Sequence, residues 1–326
     1  MTMTTKGGRI DVHHHLIPEV YRDDLRRRGV VEVAGRELPE WSPSRSLEVM
    51  DRNGIDLSVL SVSAPGVHFG GDSEARRLAR QCNEESAAVV AEAPDRFGFF
   101  ATVPLPDLDG ALEECTYALD ELHADGIVLL SSFSDGSYLG DPRYEELLAE
   151  LHRRRAVVFI HPAIPTIAAE IKVDIPVFAM EFTFDTTRAA FNLVHSGALE
   201  RHPDIKFILS HAGGTVPYLA ARFDLLWFQD PELAERAPRG GSAYLRDLYY
   251  DTALSANPHA LSSLTELVDS SHILFGSDFP FAPEIVTTMS VDGLGAYPDL
   301  TDVDRVAIDR RTALELLPTV AERLRP

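Results

Sequence analysis

Eight short apolar runs, each separated from the next by a longer connection that is mostly helical in pattern, constrain this chain more than any other feature. They are Arg9–His13, Asp56–Val62, Phe97–Val103, Gly126–Leu130, Ala156–His161, Ile205–His211, Leu248–Thr252 and His272–Asp278. Most are rich in Val, Ile, Leu or Phe with little polar alternation. Strands buried on both faces read this way. Helical patterns lie between them, near Ser44–Asn53 and over Ser73–Ala93, Asp107–His123, Asp141–Arg154, Thr186–Glu200, Thr215–Trp227 and Pro258–Asp269. Alternating strands and helices imply parallel pairing through βαβ units. Eight such units close into an α/β fold of the (β/α)8 TIM-barrel type. A doubly wound open sheet is the alternative, but no GxGxxG follows the first run.

The chain has 326 residues, which suits one barrel of roughly 250 residues plus insertions. With no internal repeat, linker or low-complexity tract, a single domain over residues 1–326 is expected. Two connections are long, residues 16–43 after the first strand and 162–184 after the fifth. Both follow C-terminal strand ends, the side on which barrel enzymes carry their sites. The tail past Ala313 is expected to form a final helix or arm.

His13 and His15 close the first run, His161 the fifth, His211 the sixth and Asp278 the eighth. Five metal-competent or acid–base side chains therefore share one end of the expected barrel. The run His13-His14-His15 so near an N-terminus resembles a tag remnant, yet its Ile10-Asp11-Val12 setting and its distant partners favour a site. Side chains alternate along a strand, so His13 and His15 share a side and His14 points to the other, as a packing or supporting residue. Imidazoles with one carboxylate suit a borderline divalent cation, Zn²⁺ first, with Mn²⁺, Fe²⁺ and Co²⁺ as alternatives. No lysine ends the fourth run to bridge two ions, so one metal is expected.

Acidic residues number 51 against 30 lysines and arginines, a net charge of −21. Such a surface repels nucleic acid and anionic membranes, so neither is expected as a partner. Lysine occurs only at Lys6, Lys172 and Lys206, so an anionic substrate would need a metal or a placed arginine. Cys82 and Cys115 form no CxxC or disulfide framework. Residues 1–8 carry no apolar leader core, and no apolar run is long enough to span a bilayer. A cytoplasmic location is expected.

Other candidates carry plainer readings. His211 precedes Gly213-Gly214 at an expected helix N-terminus, where the dipole would favour a neutral imidazole. Arg222 sits beside Phe223 and Asp224 on a helix, with a surface ion pair as the alternative. Glu181 and Asp185 flank Phe182 and Phe184 in the loop after strand five; they either orient a ligand histidine or are merely solvated, and the solvated reading is preferred. Phe178, Phe182, Phe184 and Trp227 read as core first, although a flat ring substrate would want such walls.

These features together resemble the amidohydrolase superfamily, and within it the decarboxylases typified by 2-amino-3-carboxymuconate-6-semialdehyde decarboxylase. The matching segments are Asp11-Val-His-His-His15, Met50-Asp-Arg-Asn-Gly-Ile55 leading into Val59-Leu-Ser61, Phe159-Ile-His-Pro162, Ser210-His-Ala-Gly-Gly214 with Pro217-Tyr218 and Arg222, Asp251-Thr-Ala253, and Gly276-Ser-Asp-Phe-Pro280. They cover nearly the whole chain in the family's order. The resemblance implies that His13, His15, His161 and Asp278 ligate the metal and that His211 is a catalytic histidine outside the ligand set. Arg222 matches an arginine that reaches the neighbouring subunit's site and binds substrate carboxylate, which implies a homodimer. The family's second substrate arginine, after the first strand, has no match in register; Arg36 is nearby. A small carboxylate substrate bearing one carboxylate follows.

The expected activity is metal-dependent, non-oxidative decarboxylation of an aromatic or conjugated acid such as a salicylate-type ortho-hydroxybenzoate. The proton would come from Asp278 or from a water handled by His211. The alternatives are a metal-dependent hydrolase (lactonase or amidohydrolase) or hydratase, and a catalytically silent metal-binding protein.

Overall fold

A computed structural model describes residues 8–325. Lys6 and, Gly8 apart, the leaderless reading of residues 1–8 lie outside that range. Eight parallel strands pair in sequence order. They are β1 (Arg9–His15), β2 (Ile55–Ser61), β3 (Phe97–Thr102), β4 (Gly126–Leu130), β5 (Val157–His161), β6 (Lys206–Leu209), β7 (Tyr249–Asp251) and β8 (Ile273–Leu274). The ring is completed where β8 returns to β1. Val12 N donates to Phe275 O at 3.0 Å, Asp278 N to His13 O at 2.7 Å and His15 N to Phe279 O at 2.7 Å. This is the TIM-type barrel that the alternation of runs implies, and the open sheet is set aside. No helix among the described residues is long and apolar enough to cross a membrane.

Strand limits depart from the expected ones mainly at the two ends of the ring. β1 continues to His15, whereas β8 keeps only two ladder residues. The chain after Leu274 stays beside β1 as far as Phe279, with a kink at Asp278, whose φ is 61°. A non-glycine residue enters that left-handed region at a cost, and only when its surroundings hold it there.

β1 carries an irregularity that positions the site. Asp11 pairs with Ser58 and His14 with Leu60, so three steps on β1 span two on β2. The extra residue is a β-bulge. Below it Ile10 and Val12 point into the barrel with Leu57, Val59, Phe100, Phe159 and Ile208. Strict alternation from Val12 would send His13 outward. The bulge breaks that frame, so His13 and His15 also face inward, while His14 faces the helix Pro43–Asn53 and hydrogen-bonds Ser46 Oγ at 2.9 Å.

The interior column is closed from below by the tail. Ala313, Leu316, Leu317 and Val320 pack against the inward strand residues, and Arg323 and Thr319 bond Asp125. The expected final arm is therefore the floor of the barrel. The larger core lies between the strands and the surrounding helices.

Both long insertions stand above the C-terminal strand ends. The first contains a helix, Glu19–Arg27, and a hairpin pairing Glu32–Val33 with Arg36–Glu37. Its turn residues Ala34 and Gly35 have φ of 53° and 89°, as a two-residue primed turn requires. The second contains the helix Val177–His195, which starts well before the expected Thr186. One side of its first turns faces a cavity and another buries Glu181 and Asp185, so no polar stripe marks those turns as helical.

Leu317 is fully buried in the barrel floor. Leu317→Ala should cost roughly 2–5 kcal/mol, read from the urea unfolding midpoint.

Candidate metal centre

Four side chains from three strand ends meet above Phe159. His13 and His15 bring their Nε2 atoms within 3.1 Å of each other. Asp278 Oδ1 lies 3.3 Å from His13 Nε2 and 3.1 Å from His15 Nε2. With His161, the ligand-type atoms of all four residues lie within 4.8 Å of one another, and all four are buried. The ring of Phe159 sits 4.9 Å from that of His13, edge-on beneath the group.

The three imidazoles are oriented alike. His13 Nδ1 bonds Asp251 Oδ2 at 2.6 Å, His15 Nδ1 the carbonyl of Ser61 at 3.1 Å, and His161 Nδ1 the carbonyl of Pro162 at 2.9 Å. Each acceptor holds the proton on Nδ1 and leaves the Nε2 lone pair directed at the common centre. Metal-binding histidines are fixed by such partners. Lone pairs facing one another and a carboxylate at these distances repel unless a cation lies among them, so the donor set fits a divalent ion.

The electrostatics point the same way. Burial works against charge on His13, but Asp251 and then Asp278 push it up to about 10. Burial, then the neighbouring imidazoles, takes His161 well below its usual value. Burial also lowers His15, although Asp278 opposes the shift. Burial alone would raise Asp278, yet the surrounding imidazoles of His13, His15 and His211 hold it well below the usual carboxylate range. Two buried carboxylates thus call for positive charge. A dication would supply it while leaving the imidazoles deprotonated, as ligation needs.

His211 stands beside this group. Its Nε2 is buried, makes no hydrogen bond among the described residues and lies 3.7 Å from Asp278 Oδ2. It is not at a helix N-terminus, as expected, but opens a single 3-10 turn, His211–Gly213, ahead of the helix Val216–Asp224. His211 and Ala212 have φ of 54° and 55°. Asp251 ties the two parts together: its Oδ1 accepts from the backbone N–H of His211 and of Ala253, each at 2.9 Å. In the sequence Asp251 stood out only as part of a motif. Its position at the end of β7, on the same barrel rim, is the signal that could have found it.

A cavity of about 280 Å³ opens onto His161, His211 and Asp278. Its walls include Phe178, Phe182, Phe281 and Val33, so two aromatics read as core line a pocket instead. Arg36, which matched nothing in register, lines it too. Its guanidinium lies 4.2 Å over the Phe178 ring and donates to Phe281 O at 3.3 Å. It joins no ion pair among the described residues, though the chain carries 51 acidic side chains. The turn of the hairpin, invisible to motif matching, brings it there.

His14 stays outside the group, bonded to Asp11 Oδ2 at 3.0 Å and to Ser46. Arg222 does not reach the centre. It is exposed in the last turn of its helix and enters no hydrogen bond or ion pair among the described residues. Glu181 and Asp185 are buried rather than solvated. Asp185 accepts from the hydroxyls of Ser131, Ser132 and Tyr138 at 2.5, 2.7 and 2.5 Å.

Comparison with known proteins places this geometry in context. The amidohydrolase family model matches residues 10–319. The 6-methylsalicylic acid decarboxylase of Penicillium expansum is 39% identical, with 95% of this chain and 96% of that protein covered. The 6-methylsalicylic acid decarboxylase acuB of Aspergillus aculeatus is 40% identical over the same shares. A 2,6-dihydroxybenzoate decarboxylase solved with 2,6-dihydroxybenzoate superposes with a TM-score of 0.80 at 27% identity, covering 96% of this chain and 99% of that one.

His13→Ala and His15→Ala should each strip bound metal, measured by elemental analysis after dialysis. His14→Ala should keep its metal and lose about 1–3 kcal/mol of stability, because Asp11 and Ser46 lose a buried partner. Asp251→Ala should weaken metal binding roughly 10–100-fold in a chelator competition.

Proposed function

We propose that this chain, which belongs to the amidohydrolase family, is a metal-dependent, non-oxidative carboxy-lyase that removes CO₂ from a salicylate-type ortho-hydroxybenzoate. The observation that carries the reading is a buried His/Asp cluster opening onto a largely apolar cavity. That pocket suits a flat ring on its walls and an acidic group at its polar end. The decarboxylases of Penicillium expansum and Aspergillus aculeatus, similar over 95% of the chain, support it.

His13, His15, His161 and Asp278 hold one divalent ion, with Zn²⁺ the first candidate and Mn²⁺ the second. When bound, the ion supplies Lewis-acid polarisation and a fixed anchor for the carboxylate and its ortho oxygen. Arg36 is the unpaired positive centre within the same cavity and orients the anionic substrate, while Phe178 and Phe182 confine the ring. The reaction replaces a C–C bond by a C–H bond. A proton is placed on the carbon that bears the carboxylate, CO₂ departs, and the electron pair of the broken bond restores the ring. Two neighbouring groups can deliver that proton: a water held by His211 Nε2, or Asp278 once it has itself taken a proton up, its Oδ2 facing His211 at 3.7 Å. His211 owes its aim to Asp251 and to a backbone turn that few residues adopt.

The assembly we propose is a homodimer in which Arg222 acts on the partner's site. Tyr218, four residues before Arg222 on the same helix, is 82% exposed, and Phe228, in the 3-10 turn that follows, is 87% exposed. A patch of this kind marks an interaction surface. The free, buried Cys82 and Cys115 fit a reducing compartment, and we read the location as cytoplasmic.

Zn²⁺- or Mn²⁺-loaded protein should release CO₂ from at least one member of a salicylate panel that includes 6-methylsalicylate and 2,6-dihydroxybenzoate. Opening of lactones with no CO₂ from any acid would overturn the reading. His211→Ala should lower kcat by roughly 10²-fold or more, and Arg36→Ala should raise KM with a smaller effect on kcat. Co-expressed His211→Ala and Arg222→Ala chains should regain part of the activity that each homodimer lacks, because one site of the mixed dimer is complete.

A further inference from the structure

The ligand His161 is aimed by a peptide plane rather than by a side chain. Its Nδ1 donates to the carbonyl of Pro162. That carbonyl and the N–H of Ala163 belong to one planar peptide unit and point in opposite directions. Fixing the N–H therefore fixes the carbonyl, and with it the imidazole.

The N–H of Ala163 is fixed by Ser131, the residue that follows β4. Ala163 N donates to Ser131 Oγ at 2.8 Å, and Ser131 N donates to His161 O at 2.8 Å. Pro162 has no N–H, so Ser131 grips this segment at both of its flanking backbone groups. A serine hydroxyl has one proton. Here that proton goes to Asp185 Oδ2 at 2.5 Å, which leaves the oxygen's lone pairs for Ala163. Asp185 is completely buried, with the same Oδ2 also accepting from Ser132 Oγ at 2.7 Å. It lies on the helix Val177–His195, whose first turns bring Phe178 and Phe182 to the cavity. The ring of Phe182 packs edge-on to His161 at 6.3 Å.

We propose that Asp185 and Ser131 are positioning residues for the metal ligand His161, acting through the Pro162–Ala163 peptide plane and locking the helix that roofs the cavity to the metal centre. The inference rests on the metal reading of the cluster but not on the reaction. A protein that binds metal and decarboxylates nothing would overturn the proposed function and leave this relay intact.

The test is metal affinity of the full-length protein, measured by chelator competition with Zn²⁺, together with the visible spectrum of the Co²⁺-substituted form. Ser131→Ala should weaken Zn²⁺ binding by about tenfold or more and alter the Co²⁺ bands. Ser131→Thr, which keeps the hydroxyl, should restore both. Ser131→Cys keeps the shape but offers a poor acceptor, and it should behave like Ser131→Ala even where the alanine variant folds badly. Tyr138→Phe removes a different donor to Asp185, at 2.5 Å on Oδ1. It should stay within about twofold of wild-type affinity. Wild-type affinity and spectrum in Ser131→Cys, or an equal loss in Tyr138→Phe, would overturn the relay.

Discussion

The extra residue that β1 carries between Asp11 and His14 sets the direction of the side chains above it. Below the bulge, Ile10 and Val12 belong to the packed column inside the barrel. Above it, His13 and His15 share that inward side, and His14 and Asp11 form a buried polar pair on the outside. A regular strand would offer one of these arrangements and not both. An apolar floor and a pair of inward-facing histidines follow each other within four residues because the pleat slips between Asp11 and His14. Bulges near active sites commonly re-aim side chains in this way. Here the slip turns a core strand into one that carries the candidate ligands without a loop, so these side chains keep the rigidity of the sheet.

Around that pair the chain places its strain where direction matters. His211, Ala212 and Asp278 all have positive φ, and each belongs to a turn that leaves the ladder at the cavity. Asp251 compensates by holding both His13 and the backbone of His211. The site therefore behaves as one polar network, in which a single buried carboxylate serves the ligand set and the proposed acid–base residue together. Networks of this kind gain rigidity when every member has a partner and lose it abruptly when one is removed.

Period and position made the barrel legible from sequence: eight runs of buried-strand composition left little topological choice. The grouping of His13, His15, His161, His211 and Asp278 at one rim was legible too, since each lies at or just past the end of one of those runs. Alternation separated His14 from its neighbours correctly, but only because the comparison was among His13, His14 and His15. Counted from Ile10 or Val12, the same rule would have turned the ligands outward, and nothing local in Asp11-Val12-His13 announces the bulge. Arg36 escaped because a two-residue turn, not a motif, delivers it. Asp185 and Glu181 looked solvated because their helix is buried on two sides, which erases the amphipathic pattern that betrays most helices. Arg222 remains exposed, and its expected role involves a second chain.

The seam between β8 and β1 has a consequence for how the barrel comes together. The two ladder residues of β8 pair with β7, so the ring closes on β1 through the irregular residues 275–279 that follow. His13 and His15 lie on one side of that seam and Asp278 on the other, with His15 and Asp278 separated by 263 positions in the sequence. Contacts of such long separation form late, because the chain must lose most of its freedom before they are rewarded. An ion held by these residues would act as a clasp across the join. It would bind only the closed ring, and by mass action would favour closure over opening. Loading of the centre would then report that the first and last strands have met, tying cofactor acquisition to the completion of folding.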